Sequence, residues 1–121
     1  MGLHAIDEAR RCLNCKKPRC RTGCPINTPI PDMIQMFLAG EMGQAAEMVF
    51  ANNPLSVICS LVCDHEKQCE GHCVKGIKGE PVHISSIENY ISDTCFDKMQ
   101  LKKTPWNGHR IGVVGAGPAG I

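Results

Sequence analysis

The chain has 121 residues, a formal net charge of +1, nine cysteines and only 4% aromatic residues. That length fits one domain with a modest core, the near-neutral charge excludes a nucleic-acid surface spread over it, and the scarce aromatics leave little for base stacking. No apolar stretch approaches bilayer-spanning length and the start, Met1 to Glu8, lacks the layout of a secretory signal, so the chain is read as cytoplasmic and free of the membrane, where clustered cysteines hold metal more often than they form disulfides.

In chain order, Leu3, Ile6, Ala9, Arg10 and Leu13 recur at helical spacing, which delivers Cys12 and Cys15 at or just beyond a helix end. Cys15 to Pro31 carries Pro18, Pro25, Pro29 and Pro31 and is expected to be loop, stiffened by proline. Asp32 to Ala39 reads as a helix ended by Gly40, and Met42 to Asn52 as a second one stopped by Asn53-Pro54. Together they should form a hairpin over the cysteine region, with their Met and Phe stripe in the core. Leu55 to Cys63 has the pattern of a third short helix, and Asp64 to Gly79 reads as loop with at most one helical turn. Ile84 to Met99 is the best-marked helix, with Ser85 and Glu88 spaced as a capping box. A linker from Lys102 to Gly108 follows.

The cysteines form two quartets. Cys12, Cys15, Cys20 and Cys24 make a C-x2-C-x4-C-x3-C-P run, and Cys59, Cys63, Cys69 and Cys73 a C-x3-C-x5-C-x3-C run. Thiolates a few residues apart on a turn can converge on a thiophilic metal, and eight of them suffice for two sites. Zinc is the rival, but structural zinc sites place their ligand pairs a dozen or more residues apart. The crowding here, closed by Cys24-Pro25, is nearer to the ferredoxin run and favours iron–sulfur clusters. Spacing alone does not assign cysteines to clusters. Each quartet could hold its own, or, as in ferredoxins, the cysteine of Cys-Pro could ligate the other cluster.

Remaining candidates have plainer readings. His65 and His72 stand among the second quartet where they could ligate metal, but are expected to serve a local turn or contact solvent, and Cys95 to be a small buried apolar residue. The cations Arg10, Arg11, Lys16, Lys17, Arg19 and Arg21 around the first quartet are either a solvated face, an offset to cluster charge or a dock for an acidic partner. At the far end, Arg110 to Val114 is a strand-like run followed by Gly115, Gly117 and Gly120 in the G-x-G-x-x-G turn that lets a pyrophosphate approach backbone N–H groups. This is expected to be the start of a dinucleotide-binding domain cut off at Ile121.

The order of these motifs, Cys-Leu-Asn-Cys-x4-Cys-x3-Cys-Pro, then Cys69-Glu70-Gly71-x-Cys73, then Ile84-Ser-Ser-Ile-Glu88, then Val-Val-Gly-Ala-Gly-Pro-Ala-Gly, resembles the N-terminal region of the glutamate synthase small subunit family. Dihydropyrimidine dehydrogenase and the NADPH-binding subunit of bifurcating transhydrogenases open in the same way. The resemblance implies a small all-α iron–sulfur domain over residues 1–108, followed at 109–121 by the truncated first strand and Gly-rich turn of a Rossmann-type FAD and NAD(P)H domain. It further implies two 4Fe-4S clusters, one on Cys12, Cys15, Cys20 and Cys73, the other on Cys24, Cys63, Cys69 and Glu88. Cys59 matches a non-ligand position and is left out. The expected function is electron transfer between FAD and a partner or second active site, with the missing FAD domain and a large subunit or other redox partner implied. The fragment is not expected to be catalytic alone, and a zinc-stabilised interaction module is the alternative.

Overall fold

The computed structural model describes residues 2–100, 103–118 and 120. Lys102 at the head of the expected linker, and Ala119 and Ile121 at the Gly-rich turn, lie outside them. Six α-helices follow one another: α1 (Gly2–Arg10), α2 (Arg19–Gly23), α3 (Ile30–Leu38), α4 (Met42–Asn52), α5 (Ser56–Val62) and α6 (Ile84–Cys95). Short 3-10 turns occupy Val74–Ile77 and Phe96–Lys98. Among the described residues no single helix is long and apolar enough to cross a membrane, and there is no strand. The run from Arg110 to Val114 is irregular and exposed. A lone strand lacks the neighbouring strands that satisfy its backbone, so sequence pattern alone does not make one here.

The core lies where α6 packs against α1, α3 and α4. Ile30, Met33, Ile34, Val49, Val82, Ile84, Ile87 and Ile91 are essentially fully buried, and Phe37 meets Tyr90 at a tilt of 58° with ring centroids 5.7 Å apart. Cys95 joins this core. The helix α3 ends in a Schellman motif: Gly40 takes φ +81°, its N–H donates to the Phe37 carbonyl at 3.1 Å and the Glu41 N–H to the Met36 carbonyl at 2.9 Å. That turn closes the expected α3–α4 hairpin. Ile87, in the first turn of α6, is 0% exposed. Ile87→Ala is expected to destabilise the chain by roughly 2–5 kcal/mol in a urea titration, because a dry cavity replaces the lost side chain.

Two further expectations require correction. Cys15 to Pro31 is not all loop, since α2 rises directly after Pro18. Proline with its preset φ fits a helix start, so proline density bars a long helix but not this single turn. The capping box at Ser85 and Glu88 is also absent. The N-cap is His83, two residues before Ser85, so Ser85 already lies inside the first turn. The Ser85 N–H and hydroxyl donate instead to Glu70 Oε1, at 2.8 and 2.7 Å. In parallel, Glu8 on α1 accepts the His83 N–H at 2.8 Å. Two buried carboxylates therefore hold the start of α6 from other parts of the chain, where negative charge also suits a helix N-terminus.

Candidate metal centres

Two cavities lined by cysteine flank Ile30, which contributes to the wall of both. Cys12 and Cys15 reach the first cavity from the turn after α1, Cys20 from α2, and Cys73 from the distant loop before the Val74–Ile77 turn. The backbone between Cys12 and Cys15 bends at Asn14, φ +47°, a left-handed conformation that asparagine tolerates better than most residues. The second cavity is lined by Cys24, Cys59, Cys63, Cys69 and Glu88, with Thr28, Asn53, His65 and Gln68 around them. Thus the structure puts Cys24 with members of the second quartet and Cys73 with members of the first.

The loop that supplies Cys69 to one cavity and Cys73 to the other turns tightly upon itself. The His65 carbonyl accepts from the N–H groups of Gln68, Glu70 and Gly71 at 3.2, 3.0 and 3.1 Å. A Cβ at Gly71 would overlap the Glu66 carbonyl oxygen, and one at Gly23 would overlap the His72 ring. These glycines, whose sequence positions alone show no packing role, let the two cysteine-bearing segments approach each other. Their signal was a glycine directly beside or between ligand-spaced cysteines. Gly71→Ala is expected to destabilise the chain by about 1–3 kcal/mol, since the obstructing atom is backbone and cannot rotate away. The same variant should lower metal loading at both cavities, read as iron bound per chain.

Burial and mutual repulsion raise the thiols. Burial pushes Cys20 up to about 11, and the neighbouring Cys73, Cys12 and Cys15 add like-charge repulsion. Cys12 is raised for the same reasons. At the second cavity burial pushes Cys63 up to about 11, helped by Cys59, Glu88 and Cys24. Cys69 rises to about 12 through burial, then the charges of Glu70, Glu88 and Cys24. In the metal-free chain these groups therefore hold their protons at neutral pH, and a cationic or iron-containing core must displace them.

Glu88 is the clearest anomaly. Only 8% exposed, it forms no side-chain hydrogen bond among the described residues, and burial raises its carboxyl to about 7. A buried carboxylate without a partner, among cysteines, is a donor in search of a positive ligand. Asn53 is its counterpart. Its Nδ2 is buried and without a partner among the described residues, and it too lines the second cavity. A group rich in acceptor sulfur fits that donor, and the cysteine-and-carboxylate donor set fits iron. Among the described residues no three His, Cys, Asp or Glu side chains draw close enough to share a single metal ion.

The basic run divides. Arg10 pairs with Asp7 at 3.4 Å, Arg11 with Glu8, and Arg21 lies 4.0 Å from Asp32. Arg19, with Lys75, lines the first cavity. His72 donates from Nδ1 to the Gln68 carbonyl, 2.6 Å away, and serves the turn, while His65 lines the second cavity. Thr28, also missed in the sequence, lies 3.3 Å from Cys24 Sγ and accepts from Asn52 Nδ2 at 3.1 Å.

The family model for dihydropyrimidine dehydrogenase domain II, 4Fe-4S cluster, matches residues 2–100. Among curated relatives, the chain is 36% identical over 120 residues to the glutamate synthase (NADPH) small chain of Halomonas elongata, covering 97% of this chain and 25% of the relative. It is 38% identical over 122 residues to the corresponding protein of Azospirillum brasilense, with the same coverages of 97% and 25%. To the NAD-dependent dihydropyrimidine dehydrogenase subunit PreT homolog of Salmonella typhi it is 32% identical over 123 residues, 98% of this chain and 29% of that one. The chain thus spans about a quarter of the length of the relatives it matches. With most of its length matched by one family model, the chain belongs to the dihydropyrimidine dehydrogenase domain II, 4Fe-4S cluster family.

Proposed function

We propose that the chain carries two 4Fe-4S clusters, one on Cys12, Cys15, Cys20 and Cys73 and the other on Cys24, Cys63, Cys69 and Glu88. It serves as the electron-transfer module of an NAD(P)H-dependent flavin oxidoreductase similar to the glutamate synthase small subunit. The observation that carries this reading is the pair of neighbouring donor-lined cavities with Ile30 as a common wall. When bound, such clusters take up and release single electrons without breaking bonds in the protein. The chain's own residues hold them, exclude water on the core side through Ile30, Ile34 and Ile84, and present cations at the first site through Arg19 and Lys75.

In this reading residues 1–108 are the cluster domain and 109–121 the opening of an FAD- and NAD(P)H-binding domain, in which Gly115, Gly117 and Gly120 approach the pyrophosphate. Gly115 has φ +119°, open to glycine and hardly to other residues. A large subunit or other redox partner takes the electrons onward, in the cytoplasm. Anaerobic reconstitution with iron and sulfide tests the proposal. The expected product is brown, with two cubanes' worth of iron and acid-labile sulfide per chain, and a reducible EPR signal from each. A colourless protein that binds zinc stoichiometrically and takes up no sulfide defeats it.

A further inference from the structure

Asn53 closes α4, and its position is fixed three times over. Its N–H donates to the Val49 carbonyl at 2.8 Å and its own carbonyl accepts from the Ser56 N–H at 3.1 Å. Its side-chain Oδ1 accepts from the Leu55 N–H at 3.1 Å. This last bond decides the orientation of the amide, because flipping it would set two N–H donors against each other. The Nδ2 is therefore held inward, buried, with no acceptor among the described residues, in the wall of the cavity that Cys24, Cys63, Cys69 and Glu88 line. Stranding a buried amide donor is costly unless something in that cavity accepts from it.

We propose that Asn53 donates a hydrogen bond from Nδ2 to the sulfur shell of the second cluster and thereby raises that cluster's reduction potential. The inference rests on the reading of the second cavity as a cluster site and adds to it a positioning residue. Hydrogen bonds to cluster sulfurs favour the more negative, reduced form. The first cavity has no asparagine in its lining, so the effect is confined to one of the two centres.

The test compares the anaerobically reconstituted chain with Asn53→Ser and Asn53→Asp. Both variants keep a short oxygen acceptor for the Leu55 N–H, and both remove the amide donor. In EPR-monitored redox titrations the second cluster's midpoint should fall in each variant, by about a tenfold change in the reduced-to-oxidised ratio at fixed potential, some 59 mV for one electron. The first cluster is the internal standard and should not move. An unchanged second midpoint, or an equal shift of both, overturns the proposal. Should both variants lose the second cluster, pulsed EPR on the wild-type chain labelled with 15N-asparagine decides: a nitrogen coupling at the reduced second cluster supports the bond, and its absence overturns it. A wild-type chain that loads only one cluster defeats the underlying cluster reading, a result distinct from a two-cluster chain whose potentials ignore Asn53.

Discussion

Cys73→Ala should halve the iron and sulfide of the reconstituted chain and loosen the whole fold, while Cys95→Ala should leave both cluster counts unchanged. The contrast matters because Cys73 and Cys95 are both shielded cysteines in contact with the core. Cys95 contributes packing at the end of α6, so its loss costs a small cavity and roughly 1 kcal/mol on the scale of a deleted buried methylene. Cys73 instead reaches across to Cys12, Cys15 and Cys20, which arrive from the other end of the chain. With the proposed ligand set, removing it leaves three thiols for a cluster that takes four ligands. Outer partners of metal ligands alone cost 10–100-fold in affinity, so loss of a ligand should exceed about 100-fold. Metal binding is folding free energy in small metal-bound domains, and the unfolding midpoint in denaturant should fall accordingly. Iron content unchanged in Cys73→Ala would remove Cys73 from the ligand set.

The helices were largely legible in the sequence, because α1, α3, α4 and α6 each have an apolar stripe at helical spacing that one core absorbs, whereas α5 has the spacing but leaves Ile58 and Val62 exposed and buries Ser56 and Ser60 instead. The hairpin was legible because Gly40 and the Asn53-Pro54 pair are strong local punctuation. What escaped was set by contacts between distant segments. Ser85 and Glu88 have the spacing of a capping box, but Glu70 reaches Ser85 first, and no local pattern records that competition. The partition of cysteines between cavities followed from resemblance, not spacing. Its physical basis is the tight turn at Gly71, which sends Cys69 and Cys73 to opposite sides although they stand four positions apart. Asn53 was read only as a helix stop. Its second role, an inward amide, exists because Leu55 claims its oxygen and the α4–α5 bend of 81° turns the other end toward the cysteines.

Glu88→Ala should leave the first cluster intact and make the second labile, with iron lost first from the corner the carboxylate served. The expectation follows from the failure of the alternative. A capping carboxylate would accept from the N-terminal backbone of α6, but Glu88 makes no side-chain hydrogen bond there, and Glu8 and Glu70 already hold His83 and Ser85. Losing Glu88 should therefore cost α6 little of its own stability, and the helix content by circular dichroism should be unchanged. Burial that raises its carboxyl to about 7 is an expense without a return in the metal-free chain. An iron corner offers that return, since a cation favours the ionised form. Glu88→Gln keeps an oxygen donor at the same reach but removes the charge, so it should retain the second cluster with a higher potential, because less negative charge opposes reduction. Full iron content and unaltered redox titrations in both variants would return Glu88 to the role of a bystander and leave the second core with three thiolates and an unidentified fourth ligand. Cys59, in the same cavity and one helical turn from Cys63, would then be the first candidate for that corner.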